Sequence, residues 1–361
     1  MEKFRKTQLL LQDGTIYDGY GFGSPNSAAG EVVFNTSMTG YIESLTDPSY
    51  TGQILILTFP LIGNYGVPSE ESINSIKHHF ESDKIHVKGL IISNYSFDYS
   101  HWSAVKSLSD WLDEFGIPGI YAIDTRALTK KIRENGTMLG KIVNKFEPEF
   151  YNPDEHDLVK EVTTSGVEEF GSGKNRILLV DCGAKNNIIR CLLQRDTTVI
   201  KVPYDYDYSA IEYDGIMLSN GPGNPKKCET TISHLEKSLR DDRPIFGICL
   251  GNQLLGLASG ADTFKLKYGH RSHNQPVMNL ENNHAYITSQ NHGFAIDESS
   301  LSQEWKPLFK NLNDGTIEGI KHVSKPFFST QFHPEASSGP TDTEYLFDEF
   351  VDLVKKYKGA K

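Results

Sequence analysis

The sequence predicts an α/β protein: an N-terminal mixed β/α domain, then a domain built on a doubly wound, mostly parallel sheet. Three observations predict it. The chain has 361 residues, and at roughly 100–200 residues per domain that length suggests two domains. Residues 1–150 are rich in short strand-like segments. From Arg176 onward, short apolar runs alternate with amphipathic helical segments, the pattern of a parallel sheet with crossover helices. The acidic, loop-forming stretch between them, residues 151–175, is expected to be a linker, which leaves 176–361 as the second domain.

Within the first domain, TQLLLQDGTIYDGYGFG places two alternating segments around Asp13-Gly14, a strong hairpin signal. The β-branched and aromatic runs EVVFNTSMTG and QILILTFPLIG follow as strands. In SAVKSLSDWLDEFG, Ala104, Leu108, Trp111, Leu112 and Phe115 share one helical face, with Gly116 as the stop. DTRALTKKIRENG predicts a second helix, capped by Asp124 or Thr125 and ended by Gly136. In the second domain RILLVDCG, TTVIKVPY, DGIMLSNGPG and RPIFGI read as strands, without the alternation of a half-exposed sheet. NNIIRCLLQR, TTISHLEKSLRD and NQLLGLASG read as helices. Further strands TFKLKYG, AYITSQNHG, TIEGIKH and FFSTQFH precede a closing amphipathic helix, TEYLFDEFVDLVKKYKG.

Composition excludes several classes of function. The 36 Lys+Arg against 47 Asp+Glu give a formal charge of −11, which argues against a sequence-independent nucleic-acid binder. No apolar run reaches the roughly 20 residues of a membrane helix, and the start is not expected to be a signal peptide. Four cysteines are too few for a disulfide scaffold, so a reducing cytoplasm is expected. Cys182, Cys191, Cys228 and Cys249 contain no C-x-x-C pair, so no metal site is expected.

The four thiols differ in setting. Cys191 falls on a helix face with Ile188 and Leu192, a small core residue. Cys228 follows PKK in a polar loop or helix start. Cys182 ends a parallel strand, at the edge where ligand sites form in such sheets. Cys249 sits in Gly247-Ile248-Cys249-Leu250-Gly251, between a strand and a helix. That spacing suits a nucleophile elbow, whose tight turn requires glycines for close backbone packing. A tight joint around a buried cysteine fits the same pentapeptide. A cysteine nucleophile also needs a histidine and an acceptor to orient it. Most of the 12 histidines, including His270 and His273, lie in polar contexts where solvated surface is the default. His333 directly follows an apolar strand, and Glu335 stands two residues beyond it. The turn Ser219-Asn220-Gly221-Pro222-Gly223-Asn224-Pro225 supplies amide donors for an oxyanion, or merely turns the chain.

Together GPGNP, GICLGNQ and HPE resemble the class I glutamine amidotransferases. NTSMTGYIESLTDPSYTGQI, IDTRALTKKIRENG, SQNHGFA and QFHPEASSGPTDTEYLFDEF are similar to the small-chain family of carbamoyl-phosphate synthases. The resemblance implies that Cys249 is the nucleophile, His333 the base and Glu335 its orienter. It implies glutamine binding by Ser49, Gly221, Gly223, Leu250, Gln253, Asn291, Gly293 and Phe294, with the amides of Gly223 and Leu250 as oxyanion donors. Asn252 departs from the family's usual histidine. The resemblance further implies a glutaminase subunit that hydrolyses L-glutamine and passes ammonia to a large synthetase chain. That partner would use bicarbonate, ATP and a divalent metal to make carbamoyl phosphate for arginine and pyrimidine synthesis. This chain carries no P-loop motif, and no cofactor is expected in it. The pair is expected to be a heterodimer or an assembly of heterodimers. Alternatives are an amidotransferase subunit of another synthase, a stand-alone γ-glutamyl cysteine hydrolase, or an inactive docking subunit.

Overall fold

A computed structural model describes residues 5–360. The chain divides into two compact units, the boundary falling between His156 and Asp157.

The first unit is built on a closed barrel. Its strands run in the order Arg5–Leu11, Met138–Val143, Ala28–Asn35, Gln53–Ile62, Gly89–Tyr95, Pro118–Tyr121 and Ile16–Gly23, where the last rejoins the first. The Asp13-Gly14 turn makes the expected antiparallel hairpin between Arg5–Leu11 and Ile16–Gly23. Closure, which no local pattern announces, leaves no free sheet edge. Val33, Leu55, Leu90, Leu112 and Trp111 are buried together in one apolar cluster. The helix Leu108–Glu114 is shorter than its sequence suggests. Ser107 caps it by accepting from the Asp110 amide, while Ala104–Lys106 is a strand, so Ala104 leaves the helical face. Thr125–Asn135 is capped by Asp124 and ends at Gly136 in the left-handed region of φ.

The second unit holds a ten-stranded sheet. Its parallel part runs Thr197–Pro203, Asn175–Asp181, Gly215–Leu218, Ile245–Ile248, Phe327–Thr330. The sheet continues antiparallel through Ile317–His322, Trp305–Asn311, Thr263–Asn279 and His284–Ile296. The carboxyl ends of the parallel strands carry the turns that matter below.

The stretch 151–175 is not a bare spacer. Leu158–Val162 is a short helix capped by Asp157, and Glu168–Phe170 adds an antiparallel edge strand beside Thr197–Pro203. Thr163 and Thr164 also hydrogen-bond Asp181. Its polar composition reads as loop because the edge strand is held by backbone hydrogen bonds and the one-turn helix offers only Leu158 and Val159 to the core.

Candidate active site

Cys249 stands between the strand Ile245–Ile248 and the helix Leu250–Ala258, at φ 54° and ψ −103°. Only a sharp turn places a non-glycine residue there, and such strain concentrates at functional sites. The flanking glycines are required by close contact. A Cβ at Gly247 would lie 2.5 Å from the Gly251 carbonyl oxygen, and one at Gly251 would lie 2.4 Å from that of Leu218. The elbow is pinned from both neighbouring strands: the Cys249 amide donates to Thr330 O at 2.8 Å, and the Gly251 amide to Ser219 O at 3.0 Å.

The strand Phe327–Thr330 pairs with the elbow strand and carries the chain to His333, whose amide donates to Ser289 O at 2.9 Å. His333 Nδ1 lies 2.6 Å from Glu335 Oε1. Burial alone would push the His333 pKa down. The charges of Glu335 and Cys249, with the hydrogen bond to Glu335, overcome burial and raise it. Burial would likewise raise the Glu335 pKa, but Lys185 and His333 hold it well below the usual carboxylate range. The Cys249 thiol also lies 3.6 Å from the Asn291 carbonyl oxygen, as a sulfur donor. Elbow, histidine and carboxylate therefore meet at the carboxyl edge of the sheet, as a nucleophile–base–orienter set requires.

The same edge gathers most of the residues that the sequence nominates for substrate. Gly221 abuts the Cys182 carbonyl so closely that a Cβ would lie 2.1 Å from its oxygen and 2.8 Å from the Leu250 side chain. Gly223 sits at φ +83°. Neither its amide nor that of Leu250 has an acceptor among the described residues, so both stay available to an oxyanion. Gln253 Nε2 donates to the Phe294 carbonyl at 2.9 Å. Asn291, Gly293 and Phe294 share the strand His284–Ile296. Ser49 belongs to the first unit, where it is buried in the short 3-10 helix Pro48–Tyr50 and its amide donates to Asp47 at 2.9 Å.

Residues that sequence reasoning missed complete the site. Lys185, inside the turn after Asn175–Asp181, places its Nζ 3.1 Å from Glu335 Oε1 and donates to the Ala336 carbonyl. Asn187 donates to the Glu335 carbonyl. The signal was there: a lysine in the turn that follows the carboxyl end of a parallel strand. His273, expected on a solvated surface, is half-buried; burial, then Lys185 and His333, lower its pKa to about 4. His270 is buried, at 7% exposure. Polar flanks mislead at both positions, because the buried face of a long antiparallel strand carries polar side chains that bond one another. Cys228 stands at a helix start, as one of its two readings had it, directly before Glu229–Ser238 and without a side-chain capping bond, and it is buried at 1% exposure. Cys182 is fully buried and its pKa is raised well above normal, chiefly by burial. Cys249 is the thiol set against an imidazole, that of His333.

Both units of the chain are similar to known proteins. Residues 178–353 match the family model for class-I glutamine amidotransferases, and residues 9–142 match that for the carbamoyl-phosphate synthase small chain, CPSase domain. The arginine-specific small chain of carbamoyl phosphate synthase from Saccharomyces cerevisiae is 51% identical over 98% of this chain and 90% of its own. The chain belongs to the carbamoyl-phosphate synthase small-chain family. The mitochondrial carbamoyl-phosphate synthase [ammonia] of Mus musculus is also 51% identical, over 99% of this chain but 24% of its own length. The multifunctional protein pyr1-3 of Dictyostelium discoideum is 50% identical over 97% of this chain and 17% of its own. This small-chain sequence thus spans a quarter or less of the length of such relatives. A solved glutamine amidotransferase from Thermotoga maritima aligns with 52% of this chain and 86% of its own, at TM-score 0.38 and 18% identity. Among the described residues no helix is long and apolar enough to cross a membrane.

Proposed function

We propose that this chain is the glutaminase subunit of a glutamine-dependent carbamoyl-phosphate synthase. The observation that carries the reading is Cys249 on a strained elbow, matched to a buried His333–Glu335 pair at 2.6 Å. The Cys249 thiolate attacks the side-chain carboxamide carbon of L-glutamine, and the amides of Leu250 and Gly223 receive the oxyanion. His333, favoured as imidazolium by Glu335 and Cys249, gives its proton to the nitrogen as the C–N bond breaks and ammonia leaves. Water then attacks the glutamyl thioester with His333 as base, releasing glutamate and restoring the thiol. The chemistry uses these side chains and water alone, with no cofactor.

Ammonia would pass to a large synthetase chain that holds ATP and its divalent metal, in a heterodimer or an assembly of them. The matching yeast chain is named arginine-specific, which supports a product destined for arginine. Four buried cysteines outside any disulfide suit a reducing cytoplasm. The mouse relative's name specifies ammonia; what favours glutamine here is the intact cysteine, histidine and glutamate. The test adds the large chain to the purified protein. Cys249→Ser should abolish carbamoyl phosphate formation from glutamine and leave formation from free ammonia intact. A serine variant that keeps its glutaminase rate would refute the assignment.

A further inference from the structure

A second constellation lies in the antiparallel half of the same sheet. Thr263–Asn279, His284–Ile296 and Ile317–His322 bring His270, His292 and Glu318 together, all buried, with their donor atoms within 4.8 Å of one another. Hydrogen bonding at the outer nitrogens fixes which way each ring faces. His270 Nε2 lies 2.8 Å from the Asp314 carboxylate and therefore carries a hydrogen, which turns Nδ1 toward Glu318 Oε1 at 3.2 Å. His292 Nδ1 lies 2.8 Å from the Phe294 carbonyl, which can only accept, so this nitrogen also carries a hydrogen. Its Nε2 then faces Gln290 Oε1 at 3.2 Å and Glu318 Oε1 at 3.8 Å. Turning the Gln290 amide over to relieve the contact would set its oxygen against Thr288 Oγ1, whose own hydrogen goes to the Gln275 carbonyl.

An imidazole lone pair thus confronts an amide oxygen and a carboxylate oxygen. The other carboxylate oxygen, Glu318 Oε2, has no hydrogen-bond partner on a side chain that is 0% exposed. A proton on His270 would satisfy the His270–Glu318 contact. It would leave the His292–Gln290 contact and Glu318 Oε2 unresolved. A cation at the centre resolves both ring contacts and balances the charge of the buried carboxylate.

We propose that His270, His292 and Glu318, completed by Gln290 Oε1, bind one divalent cation of the zinc type. Two imidazoles, a carboxylate and a carbonyl are a donor set suited to zinc. Zinc–ligand distances near 2.1 Å put tetrahedral donors about 3.4 Å apart, and the 3.2 and 3.8 Å separations around Glu318 Oε1 bracket that spacing. The outer bonds to Asp314 and Phe294 are the supports that metal-binding histidines take. Asp314, 42% exposed on its side chain, offers the way in from solvent. The ion is structural: it would fix the strand whose Asn291 carbonyl faces Cys249 and whose Phe294 carbonyl receives Gln253. The proposal does not depend on the glutaminase reading. Sequence gives no warning of it, because the ligands stand far apart on three strands.

The test strips the full-length protein with a chelator and titrates it with Co²⁺, followed by visible absorption and elemental analysis. One ion per chain is expected, with the visible bands of a tetrahedral nitrogen–oxygen site. Glu318→Gln should abolish this binding. Asp314→Asn, partly exposed and outside the ligand set, should fold normally and weaken binding about 10- to 100-fold. No stoichiometric binding by the unaltered protein would overturn the proposal. So would binding that both variants leave unchanged, or near-ultraviolet bands of a cobalt–thiolate bond.

Discussion

Lys185 holds the carboxylate of Glu335 at 3.1 Å inside the second unit, with 5% and 0% of the two side chains exposed. The same carboxylate oxygen lies 2.6 Å from His333. Glu335 therefore stands between two cations and can support a charged imidazole without itself taking a proton.

Removing the lysine leaves a buried carboxylate with one partner. Breaking a buried pair from one side costs about 3–5 kcal/mol, so Lys185→Met should lower the denaturant midpoint correspondingly at unchanged slope. An unshifted midpoint would show that the pair contributes nothing to stability.

The pair also sets a pH window. Glu335 is held low, so its contribution is present above the ordinary carboxylate pKa and fades as pH falls through the lower folded value. His333 is held high. Its contribution is complete below the ordinary imidazole pKa of 6.5 and is lost as pH rises through the higher folded value. Glu335→Gln removes a charge that raises His333, so the alkaline loss of stability should begin at lower pH. Thermal melts between about pH 6 and pH 10 read the shift directly; an alkaline limb identical to that of the unaltered protein would contradict it.

Steric closeness at the elbow makes its own forecast. Gly251→Ala drives a Cβ to 2.4 Å from the Leu218 carbonyl, and overpacking of this kind costs about 1–3 kcal/mol. Gly166→Ala, where nothing lies within 4 Å, should change stability by less than about 0.5 kcal/mol. Equal effects at the two positions would remove the steric account.

Asn252, where the family usually carries histidine, is fully buried beneath the site. It donates to Gln331 Oε1 at 2.9 Å and accepts from Ser329 Oγ at 2.8 Å. Gln253 donates to the same Gln331 oxygen at 3.1 Å. Asn252→Ala removes two buried hydrogen bonds, leaving the Ser329 hydroxyl its longer bond to the Ile320 carbonyl at 3.3 Å, and should cost about 1–3 kcal/mol. Urea unfolding of the variant measures it, and a neutral result would mean that water or a rearranged Gln331 replaces the amide.

Much of this site was legible because its chemistry imposes local spacing. The elbow needs glycines on either side of Cys249, and His333 and Glu335 are two residues apart after one strand. Lys185 and His273 were not legible, since their roles arise only when the sheet brings distant turns to one edge. The barrel escaped for the same reason: alternation predicts strands such as Arg5–Leu11, but closure depends on Ile16–Gly23 meeting Pro118–Tyr121. The antiparallel strands hid their buried polar side chains, His270 among them, because polar residues paired with one another look in sequence like a solvated face.

The most direct test of the central claim is to quench the protein during glutamine turnover and map its peptides by mass. The account predicts a glutamyl adduct on the peptide carrying Cys249, labile to hydroxylamine as a thioester and absent from Cys249→Ser. Turnover with no adduct on Cys249 under rapid quenching, or with the adduct on another residue, would contradict it.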